Sequence, residues 1–429
     1  MFASRGQEPA CGSGVYRSDR KLVIVMVNVA VLGYGTVGSG VAEVIWKNQD
    51  KVDKSAGVPV RIKYVLDLRE FPGDPVEKVL VHDFDVILND PEVDIVVEVM
   101  GGLEPAHTFV KKALLAGKSA CTSNKAMVAK FGPELMDIAK EKNVNFMFEA
   151  SCGGGIPIIR AINESLTADV IDEVTGILNG TTNYMLYRMD LEGAGFDEVL
   201  KEAQDKGYAE KDPSADVDGF DASRKIAILS SLAYSGFIDF EDIPTEGIRA
   251  ITPEDSVYAK LMNRSVKLLG TSSMKDGKCW ALVAPFMISH KSPLYAVNGV
   301  FNAVFVHGNM LGDAMFYGSG AGKLPTASAV VGDVIEEAKN IGRYIPNNWS
   351  NEPITLMDPK DVEMRYFVRL TGMTEEKAET VFGKADEFIV LPELPDEFAM
   401  ITPKMSLREY EERASQISGS IISMLRVKD

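Results

Sequence analysis

Cysteine and histidine are scarce in this chain of 429 residues, which has four of each. The cysteines (Cys11, Cys121, Cys152 and Cys279) are scattered and form no CxxC pair. That spacing argues against a disulfide framework or a structural zinc site and suits a reducing, cytoplasmic compartment. The histidines (His82, His107, His290 and His307) are equally dispersed, so chemistry that needs an imidazole cluster is disfavoured. No apolar run reaches the ~20 residues that span a bilayer. Positive charge is short as well: 45 Lys and Arg stand against 62 Asp and Glu, a net charge of −17. Such a surface repels phosphate backbones and anionic membranes, so neither nucleic acid nor membrane is expected as a partner. What remains is 46% hydrophobic and 25% charged residues, the balance of a globular protein with a full core. At ~150 residues per domain, the length suggests roughly three domains.

Residues 1–20 are polar and Gly/Ser-rich and read as a disordered extension. The apolar run Leu22–Leu32 leads straight into a glycine fingerprint, which makes it a buried strand rather than a secretory core. Patterning begins near Met26, an expected alternative start. From 21 to 150 strands and helices alternate: Val23–Leu32, Ile62–Leu66, Asp94–Val99, Ser119–Thr122 and Asn145–Phe148 read as strands with helices between them. Alternation of this kind implies βαβ units and a Rossmann-type, doubly wound parallel sheet. The segment 323–345, with a helix from about Thr326 to Asn340, is expected to pack back on this unit. Residues 151–322 change character to an α+β substrate and dimerisation domain with an open sheet, including a helix at Pro157–Leu166 and an Asp276-Gly277 hairpin. A linker (346–363) precedes residues 364–429, whose elements read βαββαβ, a ferredoxin-like order.

Gly33, Gly35 and Gly38 form a GxGxxG between the first strand and a helix. The first glycine permits the tight turn, the second lets a pyrophosphate approach, and the third allows close helix–strand packing. Backbone N–H groups at the helix start then favour phosphate charge. At the end of the second strand Asp67 would hold the 2′-hydroxyl of NAD, and Arg69 would meet the 2′-phosphate of NADP. The two residues read equally well as a surface ion pair.

Three further regions carry reactive residue types. Lys206–Lys225 is dense in acids and lysines. It reads either as a solvated acidic loop leading into a helix capped by Asp218 or Asp221, or as a site in which Asp221 and Lys225 share one helical face four residues apart. A partly desolvated lysine beside acids can hold or release a proton at a substrate oxygen. Lys125 follows a short strand at the carboxyl edge of the expected sheet, where open α/β folds bind ligands, although a lone lysine there is often plain surface. Glu149–Pro157 holds three glycines behind Cys152. Cys152 reads as a small buried thiol or as a nucleophile of the acylating type, and the loop carbonyls with Glu149 suit a hard monovalent cation. Gly180 and Thr181 open a helix whose N–H groups suit a carboxylate, unless Thr181 is simply its cap. Gly318–Gly322 precedes another helix and reads as a cofactor contact or a flexible turn.

Taken in order, VLGYGTVGSGV (31–41), EVMGG (98–102), TSNKAMVA (122–129), FEASCGGGIPIIR (148–160), GILNGTTNYML (176–186), GYAEKDPSADVDGFDASRK (207–225) and GSGAGKLPTASAVVGD (318–333) resemble homoserine dehydrogenases. The resemblance spans most of the chain. It implies NAD(P)H-dependent interconversion of L-aspartate 4-semialdehyde and L-homoserine, a step toward threonine, methionine and isoleucine, with NADP or NAD as cofactor. It implies that Gly33, Gly35, Thr36, Val37, Gly38, Arg69, Lys125 and Gly322 hold the cofactor. Glu210, Asp216, Asp221, Gly180 and Thr181 would hold the substrate, and Lys225, with Lys125, would be catalytic. Glu149, with Cys152, Gly154 and Ile156, would bind Na+. A homodimer or homotetramer is implied, as is an ACT-like identity for 364–429. In that last unit the turn Thr371–Thr374 lacks the usual Asp-x-Pro-Gly, so control by threonine is doubtful. No kinase-like segment precedes the nucleotide fold, as in the monofunctional form. The competing readings are an acylating semialdehyde oxidoreductase using Cys152 and a non-enzymatic dinucleotide sensor.

Overall fold

The computed structural model describes residues 26–429. The extension expected at 1–20 and the first residues of the strand expected from Val23 lie outside this range. Six parallel strands make the first sheet: β1 (Val27–Leu32), β2 (Val60–Leu66), β3 (Leu80–Val81), β4 (Ile95–Glu98), β5 (Ser119–Thr122) and β6 (Phe146–Met147). Their order is β3-β2-β1-β4-β5-β6. The central β1 and β4 are almost wholly buried, which is why their sequences are mostly apolar on both faces rather than alternating apolar and polar. Strand order reverses between β1 and β4, and this reversal opens the crevice where such sheets bind ligands.

The helix Lys323–Lys339 returns from late in the chain to lie along the helix Thr36–Lys47. Its Ala327, Val330, Val331 and Val334 share a core with Val41, Ala42 and Ile45. Gly40 makes the contact feasible, because a Cβ there would stand 2.8 Å from the Lys323 carbonyl oxygen.

The second sheet has ten strands. Five come from the middle of the chain: β7 (Ile171–Ile177), β8 (Arg264–Lys275), β9 (Lys278–Ser289), β10 (Phe301–Gly308) and β11 (Gly312–Ser319). Asp276 and Gly277 join β8 to β9 with φ of 52° and 73°, the left-handed pair that an Asp-Gly hairpin requires. The other five are β12 (Glu363–Thr371), β13 (Glu387–Val390), β14 (Glu397–Ile401), β15 (Met405–Ser406) and β16 (Ile421–Lys428). The order is β11-β10-β7-β8-β9-β16-β12-β14-β13, with β15 pairing β12.

Sequence patterning treats the C-terminal unit as a body of its own, but β16 lies parallel to β9, with Arg426 opposite Phe286. One sheet therefore runs through both regions. The junction is fastened by Arg426, which forks onto Glu246 at 2.6 and 2.7 Å, and by buried Arg369, which donates to Asp255 at 3.0 Å. The segment expected as a linker is also packed: Trp349 is 6% exposed, and Phe237 forms a β-bridge to Pro353. The helix expected at Pro157–Leu166 is shorter and ends in a π-helical turn, Ala161–Ser165.

One buried group in this framework has a measurable consequence. Glu337, in the helix Lys323–Lys339, is 0% exposed, and neither carboxyl oxygen has a hydrogen-bond partner among the described residues. Burial, reinforced by Asp333, raises its pKa well above the usual carboxylate range. The folded state thus keeps the proton that the unfolded chain releases near pH ~4.3. The stability tied to this group is complete below that pH and declines as pH rises toward the folded pKa. Glu337→Gln should therefore raise the unfolding temperature at pH 8 and change it little at pH 4. The gain at pH 8 should reflect about 1–3 kcal/mol, read by thermal unfolding at both values.

Candidate active site

Two clefts lie at the carboxyl ends of strands of the first sheet. The outer one, about 790 Å³, is lined by Gly33, Gly35, Asp67, Arg69, Met100 and Lys112 among others. Gly33 turns with φ of 96°. A Cβ on Gly38 would lie 1.9 Å from the Gly33 carbonyl oxygen, whereas one on Gly35 would meet nothing within 4 Å. The third glycine is thus needed for packing, and the second leaves open space for a ligand. Asp67 and Arg69 are paired: Nε and Nη2 of Arg69 each donate to Asp67 at 2.9 Å. Asp67 also accepts from the Tyr34 N–H at 2.8 Å, tying the end of β2 to the glycine turn. Arg69, foremost, and these backbone donors hold the Asp67 carboxyl well below its usual range. Buried Glu98 braces the opposite wall by accepting from Met100 N at 2.7 Å and Thr122 Oγ1 at 2.6 Å.

The inner cleft, about 540 Å³, is lined by Val37, Lys125, Gly154, Gly180, Thr181, Glu210, Asp216, Asp221, Lys225, Val300 and Gly322 among others. Segments more than 100 residues apart in sequence therefore share one cavity. At its floor Asp221 is 3% exposed and engages two ammonium groups. Its Oδ1 meets Lys125 Nζ at 2.9 Å, and its Oδ2 meets Lys225 Nζ at 2.7 Å. Lys225 also donates to the Leu178 carbonyl at 2.7 Å. Burial opposes ionisation of Asp221, but the two lysines outweigh it, and its pKa falls well below the carboxylate range. Asp221 in turn raises the pKa of Lys125. Burial, and then the Asp221 charge, raise that of Asp216.

Two elements set this geometry. Lys125 is the first residue of the helix Lys125–Lys142, capped by Asn124. Asp221 and Lys225 sit one turn apart in Phe220–Tyr234, a helix whose cap position is Gly219 and not Asp218 or Asp221.

The helix Gly180–Glu192 is capped by Asn179 rather than Thr181, the Asn179 side chain accepting from Thr182 N at 2.9 Å. The Thr181 hydroxyl instead donates to the Tyr208 carbonyl at 2.6 Å. The N–H groups of Gly180 and Thr181, in the first turn, have no intrahelical acceptors. Asn179 does more than cap: its Nδ2 donates to Asp216 at 2.7 Å and to Asp221 at 2.9 Å. Only its place inside the NGTTNY stretch hinted at it in sequence.

Not every candidate lines this cavity. Glu149 lines a separate pocket with Arg160 and Asp333, its carboxylate accepting from the N–H groups of Ile159 at 2.9 Å and Arg160 at 2.8 Å. Burial raises its pKa. Asp333, beside it and bonded to Arg160 at 2.7 Å, is pushed up to about 8 by burial and then by Glu149. Thr36, Gly38, Cys152 and Ile156 line neither cleft. Cys152 is 0% exposed, and burial pushes its thiol up to about 12, the reverse of an activated nucleophile. The acylating alternative therefore lacks its thiolate. Cys152→Ala should keep near-normal turnover in a steady-state assay, whereas a thioester mechanism would lose it.

A nucleotide-sized cleft at a glycine turn, together with a second cleft floored by a lysine–carboxylate cluster, is the architecture of a dinucleotide-dependent dehydrogenase of small polar substrates. Comparison with known proteins narrows the class. The homoserine dehydrogenase family profile matches residues 157–335, and the profile for its NAD binding domain matches 33–149. Homoserine dehydrogenase of Bacillus subtilis is 42% identical over 350 residues, 80% of this chain and 81% of that protein. The crystal structure of a homoserine dehydrogenase from Thiobacillus denitrificans superposes with a TM-score of 0.86 at 34% identity, covering 94% of this chain and 98% of the other. A hyperthermophilic archaeal homoserine dehydrogenase mutant in complex with NADPH matches at a TM-score of 0.64 and 31% identity, over 75% of this chain and 99% of that one. The chain belongs to the homoserine dehydrogenase family. Its activity is the NAD(P)H-dependent, reversible reduction of L-aspartate 4-semialdehyde to L-homoserine in amino-acid biosynthesis. No helix among the described residues is long and apolar enough to cross a membrane.

Proposed function

We propose that Lys225 is the proton donor of this reaction, and the single observation that carries the reading is one buried carboxylate gripping two lysines at the floor of the inner cleft. Gly33, Gly35, Thr36, Val37 and Gly38 hold the pyrophosphate side of NADP or NAD, Arg69 the adenosine side, and Gly322 with Lys125 the nicotinamide side. The open space at Gly35 fits such a group, and the archaeal homologue solved with NADPH supports the phosphorylated form. Bound there, the reduced cofactor supplies a hydride to the aldehyde carbon.

The chain's own groups do the rest. As charge builds on the carbonyl oxygen, the Lys225 ammonium stabilises it and transfers a proton. Asp221 keeps that ammonium oriented, and Lys125 stands between substrate and nicotinamide. The substrate's own ammonium is met by Glu210 and Asp216, and its carboxylate by the N–H groups of Gly180 and Thr181. The decisive assay follows NADH and NADPH absorbance with aspartate semialdehyde in wild type and in Glu210→Gln. Semialdehyde KM should rise strongly in the variant, and an unchanged KM would remove Glu210 from the site.

Glu149, with the carbonyls of Cys152, Gly154 and Ile156, is assigned to Na+. Burial raises the pKa of Glu149 and of its neighbour Asp333, so a monovalent cation at Glu149 would favour its ionised form, and the ion would tether the loop rather than act in chemistry. Residues 364–429 are assigned as an ACT-like domain serving assembly. A homodimer or homotetramer would cover the edge strand β11, where Met315 is 41% and Tyr317 52% exposed.

A further inference from the structure

Two buried side chains outside the reactive cluster converge on one turn. Lys267, on β8, and Asn183, in the helix Gly180–Glu192, are each 1% exposed, and neither lines the inner cleft. The Lys267 ammonium is met by uncharged acceptors: the Val297 carbonyl at 2.8 Å, Asn298 Oδ1 at 2.8 Å and Asn183 Oδ1 at 3.4 Å. The Asn183 Nδ2 donates to the carbonyls of Val297 at 3.2 Å, Gly299 at 3.0 Å and Phe301 at 3.0 Å. A buried ammonium hydrogen-bonded only to neutral oxygens is costly, and burial, offset only in part by the Asp190 charge, pushes Lys267 down to about 8. A methionine would fill the same space without that cost, so the donors have to be doing something that packing does not.

The turn they hold is a wall of the inner cleft. Val300 lines the cavity, and its carbonyl oxygen would stand 2.8 Å from a Cβ on Gly180. Next along the chain, the Asn302 carboxamide has no hydrogen-bond partner among the described residues. It lies 1.9 Å from where a Cβ on Gly320 would be. The backbone at that end of the turn is held by the β10–β11 ladder, with Phe301 opposite Ser319 and Asn302 opposite Gly318, which leaves Lys267 and Asn183 to fix the rest.

We propose that Lys267 and Asn183 are positioning residues for the seat of the substrate carboxylate: they hold the Val297–Phe301 turn against Gly180 and so fix where its N–H stands. This rests on the reading of Gly180 and Thr181 as that seat.

The test compares Lys267→Met, Asn298→Ala and Gly180→Ala with wild type for homoserine KM, kcat, reduced-cofactor affinity and unfolding temperature. Lys267→Met should raise KM about tenfold, below the ~100-fold that a 1 Å misplacement can cost, with kcat and cofactor affinity little changed. Asn298 is exposed, so its alanine variant folds and should raise KM by a smaller factor. A lowered unfolding temperature with unchanged KM in Lys267→Met overturns the proposal. If that variant does not fold, unchanged KM in Asn298→Ala does so. Should Gly180→Ala also leave KM untouched, the carboxylate seat itself is misassigned, whereas a raised KM in Gly180→Ala alone rejects only the role of Lys267 and Asn183.

Discussion

Lys225→Ala is expected to lower kcat by about 10²- to 10⁴-fold, the usual worth of a positioned general acid, while reduced-cofactor affinity stays near wild type. Lys225 lines only the inner cleft, whereas Gly33, Gly35 and Arg69 line the outer one, so the substitution leaves the nucleotide contacts alone. Two of the three ammonium hydrogens are committed, to Asp221 at 2.7 Å and to the Leu178 carbonyl at 2.7 Å. The third remains for the substrate oxygen. Loss of the side chain removes both the proton and the charge that meets the developing alkoxide, and Lys125 cannot replace it because its own partner is the other oxygen of Asp221. Asp221 keeps one counter-ion in the variant, so the fold should survive. Stopped-flow measurement of hydride transfer under saturating cofactor checks the point. Near-normal transfer would show that the proton comes from elsewhere.

The legible parts of this molecule are those in which chemistry is written locally. The glycine spacing at Gly33, Gly35 and Gly38 reports a turn, and Asp221 with Lys225 reports a helical face, because both relations lie within one element. The parts that sequence concealed depend on distance. That Lys125 should meet Asp221 across 96 residues follows only from the way two helices start at the same cavity. Asn179 and Thr181 are both good caps by residue type, and which of them caps is decided by the pull of Asp216 and Asp221 on one side and of the Tyr208 carbonyl on the other. Asp67 and Arg69 offered rival cofactor readings and an ion-pair reading, and the ion pair is the one the structure forms. Lys267 sits in an apolar strand sequence, where a lysine signals exposure rather than burial. The continuity of β9 with β16 is invisible for the same reason: parallel pairing between strands some 140 residues apart leaves no local pattern.

Asp221→Asn should be nearly as damaging, and its pH dependence separates it from simple loss of a contact. The wild-type carboxylate accepts from Lys125, Lys225 and Asn179 together. An asparagine has one oxygen and one amide, so in either orientation its N–H₂ faces one of the two ammonium groups. One lysine is repelled and the other is held without a charge. Because Asp221 is the chief cause of the raised pKa of Lys125, removing its charge lowers that pKa, and the alkaline limb of kcat/KM should move to lower pH. The acid limb should not move, since Asp221 is held well below the usual carboxylate range and stays ionised where the enzyme works. Breaking a buried ion pair costs ~3–5 kcal/mol, so the unfolding temperature should also fall. The pH profile is the decisive readout, because a merely structural aspartate would lower stability and leave the alkaline limb in place. Turnover should drop by about 10²-fold or more, as expected when a proton donor loses the group that orients it.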